Sequence, residues 1–221
     1  MGKFLAEQFP EYEVETIDLV EDILLRHKFI VALNCLLTLA RYGWGTALGR
    51  REFRDYFYRT PFVFGAIKRL IAKHLASRAS EFAFSFQTQS LYDASIPGVP
   101  HFVYSDHAHL ANLYYPGFPR NRLCSPRWIE LEKTIYQNAT KTFVMSRQVA
   151  RSVVEQYGCA PEKVACVFGG YNFEMKPIPL RNDSYSNKQI LFVGVDWSEK
   201  AGRIWSPPLR SFGKKFPPRA S

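Results

Sequence analysis

A histidine beside an aspartate follows a short apolar segment near the middle of the chain. The residues His101 to Tyr104 predict a strand, and Ser105-Asp106-His107-Ala108-His109 comes directly after it. Ligands of open parallel sheets bind beyond the carboxyl ends of the strands, so this loop is a natural site. A neutral imidazole can hydrogen-bond a hydroxyl group or orient a substrate. We interpret His107, with Asp106, as the catalytic candidate; the alternative is a histidine that only orders its loop.

Other polar residues also stand where predicted strands end. Gln87 leaves the segment 82–86, His109 lies two residues beyond His107, and Ser146 follows the strand pattern of residues 142–145. We expect these three side chains to lie at the same edge of the sheet and to contact substrate. The alternative for Gln87 is an ordinary loop amide, and Ser146 is also a suitable N-cap for a helix that Gly158 closes.

The elements that position these residues alternate between strands and helices. Such alternation predicts βαβ units and therefore a parallel sheet in an α/β fold. The polar–apolar alternation of residues 13–19 adds a first strand. Strands are expected near residues 14–19, 82–87, 101–105, 142–145 and 164–167, and helices over 4–9, 20–48, 50–80, 126–138 and 147–157.

Two segments resemble the retaining GT-B glycosyltransferases of the group 1 family. The first runs from the strand Thr142–Ser146 through Tyr157-Gly158 and Pro161-Glu162-Lys163-Val164 to Gly169-Gly170-Tyr171-Asn172. It is similar to the close of that family's first Rossmann-like domain. The second, Ile190 to Gly194 with Glu199-Lys200 five and six residues on, is similar to the family's entry into the donor domain.

The resemblance implies one GT-B half, a Rossmann-like parallel sheet with helices on both faces, plus the start of a second domain. It implies hexosyl transfer from a nucleotide sugar to an unknown acceptor, without a cofactor or metal. His107 and Asp106 would approach the reacting sugar, and a lysine ammonium would stabilise the leaving diphosphate. The binding residues implied are Gln87, His109 and Ser146 for the acceptor, and Gly170, Gly194 and Lys200 for the donor.

The sequence also departs from the family. Val195 stands where the family usually has Arg, and Ala201 replaces a Gly. We expect an acceptor-side domain over residues 1–180 without its first strand and glycine-rich loop, then a linker and donor-domain strand over 181–202. Residues 203–221 are expected to lack stable packing, because four prolines, five cations and no acid leave little apolar surface to offset the entropy of ordering. The composition of this tail resembles out-of-register translation. The chain is therefore interpreted as a fragment, trimmed at both ends, that does not transfer sugar by itself.

Charge and composition limit the choice of partners. The net charge is +9, and residues 41–78 hold nine Lys or Arg against two acids among many aromatic residues. Such a segment can rest on anionic lipid. The alternative function is thus a non-enzymatic acceptor-domain remnant with a membrane-peripheral surface. The alternative without any functional role is that the segment is an ordinary solvated helix face. No nucleic acid is expected as a partner, since no reading motif occurs. The four cysteines form no C-x-x-C pair, so a cytoplasmic protein without a metal site is expected.

Overall fold

A four-stranded parallel sheet forms the centre of the fold. The computed structural model describes residues 2–47 and 53–169. The strands are β1 (Ser85–Thr88), β2 (His101–Ser105), β3 (Lys141–Val144) and β4 (Val164–Cys166), in that spatial order. All three pairings are parallel, with Gln87 opposite Val103 and Val103 opposite Thr142. The predicted parallel α/β sheet is confirmed.

Helices precede and connect the strands. The α-helices are α1 (Gly2–Gln8), α2 (Lys28–Ala47), α3 (Phe53–Phe57), α4 (Pro61–Leu75), α5 (Pro126–Asn138) and α6 (Arg147–Glu155). A π-helical segment spans Leu19–Leu24, and short 3₁₀ segments cover Ala76–Glu81, His109–Tyr114, Arg120–Arg122 and Pro161–Lys163.

Helix α4 begins where the sequence has Thr60-Pro61. The Thr60 hydroxyl accepts the Val63 N–H at 3.1 Å, and Pro61 occupies the first helical turn, where its missing N–H costs nothing. This signal divides residues 50–80, which were expected to form one helix, into α3 and α4. Helix α2 in turn continues through Gly43 and Gly45, where a break was expected.

The strand expected near residues 14–19 is not formed. Residues 13–18 have no regular secondary structure, and the π-helical segment starts at Leu19. The Asp18 carboxylate accepts the N–H groups of Val20 and Glu21 at 2.8 and 2.9 Å. Local side-chain hydrogen bonds of this kind compete with the backbone hydrogen bonds of a β-sheet, although the polar–apolar alternation alone favours a strand.

The two faces of the sheet differ in character. Val103 and Thr142 are opposite one another in the register, and Val144 lies two residues further along, so all three point to one face. That face carries the buried core together with residues of α4, α5 and α6. The other face presents half-buried aromatic rings that pack on each other: Phe84, Phe86, Phe102, Tyr104 and Phe143. Phe9, which follows α1, packs edge-on against Phe84 with ring centroids 6.0 Å apart.

Candidate functional site at the carboxyl ends of the strands

The loops that follow β1, β2 and β3 lie side by side. Thr88 is paired with Tyr104, and Ser105 with Val144, so neighbouring strands end at the same level. The Met145 N–H extends this pairing by donating to the Ser105 carbonyl at 3.2 Å. The structure therefore brings the end of β1 and the loops that carry His107 and Ser146 to one edge of the sheet, which is the edge where parallel sheets bind ligands. Gln87, expected to follow its strand, lies within β1.

Two serine hydroxyls fix the backbone of His107. Its carbonyl oxygen accepts from the Ser105 hydroxyl at 2.6 Å and from the Ser90 hydroxyl at 3.1 Å. The two hydroxyl oxygens are themselves 3.3 Å apart. Because Ser90 follows β1 and Ser105 ends β2, these bonds cross-link the two loops and hold His107 in one place relative to the sheet.

A neighbouring amide selects the tautomer of the His107 ring. Nδ2 of Asn112 lies 3.1 Å from Nε2 of His107 and 2.9 Å from the His109 carbonyl oxygen. The carbonyl contact identifies this Asn112 atom as the amide nitrogen, which can only donate. Nε2 of His107 is thus an acceptor, and the ring proton resides on Nδ1. No group among residues 2–47 and 53–169 accepts that proton in a hydrogen bond.

The surroundings keep the His107 imidazole neutral. Burial lowers the pKa of His107 below its ordinary value, and the positive charge of Arg59 acts in the same direction, while Asp106 opposes both. The guanidinium of Arg59 lies over the Trp128 ring, 5.9 Å from its centroid. Arg59 was not among the residues expected at the site, because only the fold brings the turn before α4 close to this loop.

A buried glutamate holds the segment that carries Asn112. Glu132 of α5 is 2% exposed, and its Oε1 accepts the His109 N–H at 3.0 Å. The Tyr157 hydroxyl donates to Oε2 of Glu132 and accepts the Leu110 N–H at 3.0 Å. Glu132 and Tyr157 therefore fix the start of the 3₁₀ segment His109–Tyr114, and with it Asn112.

Burial raises the pKa of Glu132 to about 7, although bonds from Tyr157 and the His109 N–H lower it in part. Sequence reasoning missed this residue, yet a signal was present. Trp128, Glu132 and Ile135 recur at helical spacing, so the glutamate lies on the apolar face of α5. A carboxylate on such a face must be satisfied by partners inside the protein.

Three residues expected to bind the acceptor have internal partners. Both amide protons of Gln87 are donated, to the carbonyls of Gln89 and Tyr92 at 2.7 Å each, and its oxygen accepts the Ala94 N–H. His109 accepts the Cys124 N–H at Nε2, at 2.8 Å. The hydroxyl of Ser146 accepts the Val149 N–H at 3.2 Å and so caps α6, as its sequence position predicts. Their binding roles stay predictions.

The donor-side residues Gly170, Gly194 and Lys200 lie outside the described residues, as do the segments 181–202 and 203–221. Within the described ranges, no group of three or more His, Cys, Asp or Glu side chains is arranged to hold a metal ion. None of the helices in that part of the chain is both long and apolar enough to cross a bilayer.

Comparison with known proteins adds no relative. No protein-family model matches the chain, and searches of curated proteins and of solved structures give no significant match.

Proposed function

We propose that this chain carries the acceptor side of a glycosyltransferase that uses a nucleotide sugar. One observation carries the proposal. A neutral imidazole, His107, is fixed through both its ring and its backbone at the carboxyl ends of a parallel sheet. A sugar hydroxyl both donates and accepts hydrogen bonds, and the Nδ1 proton of His107 is the donor that the geometry leaves for it.

The roles of the other residues follow from their places. Asp106 is exposed beside His107. Because Asn112 occupies Nε2, the His107 ring would act on an acceptor hydroxyl as a hydrogen-bond donor through Nδ1, which orients the hydroxyl without taking its proton. Burial and the positive charge of Arg59 keep this ring in its neutral form. Gln87, His109 and Ser146 shape the acceptor side. Gly170, Gly194 and Lys200 would meet the donor diphosphate, where an ammonium group offsets the developing negative charge.

Saccharide binding by the full chain tests this proposal. Saturation-transfer NMR with methyl glycosides of glucose, mannose, galactose and N-acetylglucosamine should show transfer to at least one of them. The His107→Ala variant should lose that signal. The His74→Ala variant should keep it, because His74 is an exposed residue in the last turn of α4. Equal signals from both variants, or no signal from the unmodified chain with any of the four glycosides, would contradict the proposal.

A second candidate, a membrane-peripheral surface, is favoured by an inversion in α2. Asn34 and Thr38 are fully buried, while Phe29 is 80%, Leu36 64% and Leu39 53% exposed. Nδ2 of Asn34 donates to the Phe57 carbonyl at 2.7 Å, so the polar residues face the protein. The outward side of α2 is therefore largely apolar, which is unusual for a helix at a protein surface.

The position of this surface differs from the segment 41–78 indicated by composition. Tyr56, Phe57 and Phe64 of that segment are buried and belong to the core. The exposed apolar residues of α2 are instead accompanied by the exposed cations Arg26, Lys28 and Arg41. Helices bind anionic bilayers in this way: their apolar side chains enter the interface, and the neighbouring cations contact the headgroups.

Vesicle co-sedimentation tests the second candidate. The chain should bind vesicles of equal phosphatidylglycerol and phosphatidylcholine more strongly than vesicles of phosphatidylcholine alone. A Leu36→Glu/Leu39→Glu variant should bind about tenfold more weakly, whereas Tyr115→Glu, at a 56% exposed residue outside α2, should not. A chain that ignores lipid but dimerises through α2 would refute the membrane interpretation.

A further inference from the structure

A groove runs along the outer edge of β1, the strand at one end of the sheet. Its volume is about 820 Å³. Residues 82–89 line it on one side, and residues 12–20, which precede and begin the π-helical segment, line it on another. The groove reaches both faces of β1, since Phe84 and Phe86 of the aromatic face and Ser85 and Gln87 of the core face all contribute.

Backbone groups of β1 point into this groove. The Ser85 N–H donates to the Pro100 carbonyl at 2.8 Å and the Gln89 N–H to the Tyr104 carbonyl at 2.7 Å, so these residues turn their backbone towards β2. Along a strand, alternate residues turn their N–H and C=O groups to opposite sides. Phe86 and Thr88 therefore present theirs to the outer edge. No backbone bond joins either residue to the described residues of the 12–20 segment.

Apolar walls flank this edge on both faces of the sheet. Leu5 and Phe9 stand on the side of the aromatic face, and Ile71 and Leu75 of α4 stand on the side of the core. A strand lying between such walls buries the side chains of both its faces. Strands of that kind are near-continuous runs of Val, Ile and Leu, in contrast to alternating edge strands.

The groove is acidic although the protein is basic. The described residues that line it include four carboxylates, Glu13, Glu15, Asp18 and Glu81, and one guanidinium, Arg78. Arg78 is already paired with Glu15 at 3.1 Å and with Glu81 at 2.9 Å. The remaining negative charge at the rim favours an occupant whose ends are cationic.

We propose that this groove binds an extended apolar peptide segment, flanked by Lys or Arg and supplied by a partner polypeptide, as an added strand on the outer edge of β1. The backbone of Phe86 and Thr88 supplies the hydrogen bonds, and the two apolar walls take alternate side chains. In peptide recognition by strand addition, the main-chain hydrogen bonds supply affinity and the pockets for alternate side chains supply specificity. The binding does not require His107, and Gln87 is the one residue of the proposed acceptor side that also lines the groove.

The probe is the acetylated and amidated peptide Lys-Val-Ile-Val-Ile-Val-Lys, bound to the full chain and followed by fluorescence anisotropy. Its matched control carries proline at the central valine and at the isoleucine that follows it. These two prolines remove backbone N–H donors. We expect saturable binding of the first peptide and at least tenfold weaker binding of the second. Equal binding of both peptides, or no binding of the first, would overturn the proposal.

Two protein variants sharpen the test. Thr88→Pro removes the outward N–H, and edge strands accept proline where the N–H faces outward. Thr88→Val keeps the N–H and changes only the side chain. The valine variant should bind the peptide as the unmodified chain does, and the proline variant about tenfold more weakly. Similar affinities for all three proteins would contradict strand addition.

Amide exchange of the unmodified chain gives a readout that needs no variant. Peptide binding should slow exchange at the N–H groups of Phe86 and Thr88. Those of Ser85 and Gln87 should change little, because they already bond to β2. Protection confined to the apolar walls would show a different binding mode and refute the proposal. So would a concentration-dependent dimer that protects Phe86 and Thr88 and that the peptide fails to displace, since the occupant would then be a second copy.

Discussion

The side-chain amide of Asn112 donates to Nε2 of His107 at 3.1 Å, and this one contact decides which ring nitrogen of the histidine carries the proton. Asn112 is itself held by the 3₁₀ segment His109–Tyr114, which is bonded at its start to Glu132 and Tyr157. The chemistry of His107 thus depends on a buried carboxylate that lies on another element. The position of the His107 ring and its protonation therefore depend together on Asn112, Glu132 and Tyr157.

Replacing Asn112 by aspartate should reverse the protonation preference of His107. In the unmodified chain the pKa of His107 lies below the usual 6.5, mainly through burial. A carboxylate at position 112 would accept a hydrogen bond from the Nε2–H of the imidazolium and stabilise that form, so the pKa should rise above 6.5. The ¹H–¹³C resonances of the histidine ring, recorded from pH 4 to 9, measure both values. A pKa that does not rise in Asn112→Asp would refute the assigned tautomer.

The lowered pKa of His107 also has a consequence for stability. The unfolded chain takes up the proton near pH 6.5, before the folded chain does. Protonation therefore favours the unfolded state, and this contribution to stability is lost as the pH falls below 6.5. In His107→Gln the corresponding fall in unfolding free energy should be smaller. Urea unfolding at pH 7 and 5, for both proteins, checks the difference.

Glu132 should give the opposite pH dependence. Its pKa is about 7 in the folded chain against an ordinary 4.5. The folded chain keeps the proton longer, so the favourable contribution is present below pH 4.5 and is lost as the pH rises to 7. The loss approaches about 1.4 kcal/mol per pH unit at its steepest. Glu132→Gln should remove this slope from urea unfolding curves; an unchanged slope would mean that Glu132 is ionised throughout.

The ion pair between Lys68 and Asp93 should stabilise the connection between β1 and β2. Asp93 is fully buried, and its Oδ2 lies 2.5 Å from Nζ of Lys68 and 2.8 Å from Nδ2 of Asn138. Burial alone would raise the pKa of Asp93, but the bonds from Lys68 and Ser95 prevail and lower it. Lys68→Met should cost about 2 kcal/mol of unfolding free energy, because it leaves a buried carboxylate without its cation.

A matched control is the exposed pair of Arg151 and Glu155, which lie 2.9 Å apart. Arg151→Met should cost much less unfolding free energy than Lys68→Met, because solvent screens an exposed pair. If Lys68→Met and Arg151→Met lose the same unfolding free energy, the burial of Asp93 does not make its ion pair more important for stability. Adding Asp93→Asn to Lys68→Met should recover part of the loss, since no charge is then left in the core.

The inverted polarity of α2 predicts an inverted mutational pattern. Asn34→Leu removes the donor to the Phe57 carbonyl and the acceptor for the Thr60 hydroxyl, so it should destabilise the chain by about 2 kcal/mol. Leu36→Gln, on the 64% exposed side, should change the unfolding free energy by less than about 0.5 kcal/mol. Thermal and urea unfolding of the two variants provide the measurement. Greater damage from Leu36→Gln would mean that the apolar side of α2 is covered.

Local signals in the sequence predicted much of the fold. The segment 126–138 was expected to be a helix and is α5, Ser146 was expected to cap α6 and does, and Gly158 adopts φ +68° after that helix. Each of these features depends on residues within one or two turns of chain, so the sequence pattern is sufficient. The strand expected at residues 14–19 was wrong, because the capping bonds of Asp18 outweighed the alternation.

The site was less predictable because its contacts are long-range. His107 could be placed at a strand end, but its bond to Asn112 and the role of Glu132 depend on how α5 and α6 meet the loop. The direction of α2 was hidden for a similar reason. Its pattern shows an apolar and a polar side, and only the packing of Asn34 against Phe57 reveals which side is buried.

The proposed acceptor site is tested most directly by an intermolecular nuclear Overhauser measurement between the His107 ring and a bound saccharide. The full chain, labelled with ¹³C-histidine, would be mixed with whichever methyl glycoside gives saturation transfer. We expect cross-peaks between the ring Hε1 of His107 and protons of the sugar, and these should be absent in His107→Ala. A glycoside that binds without any contact to the His107 ring would contradict the proposed acceptor site.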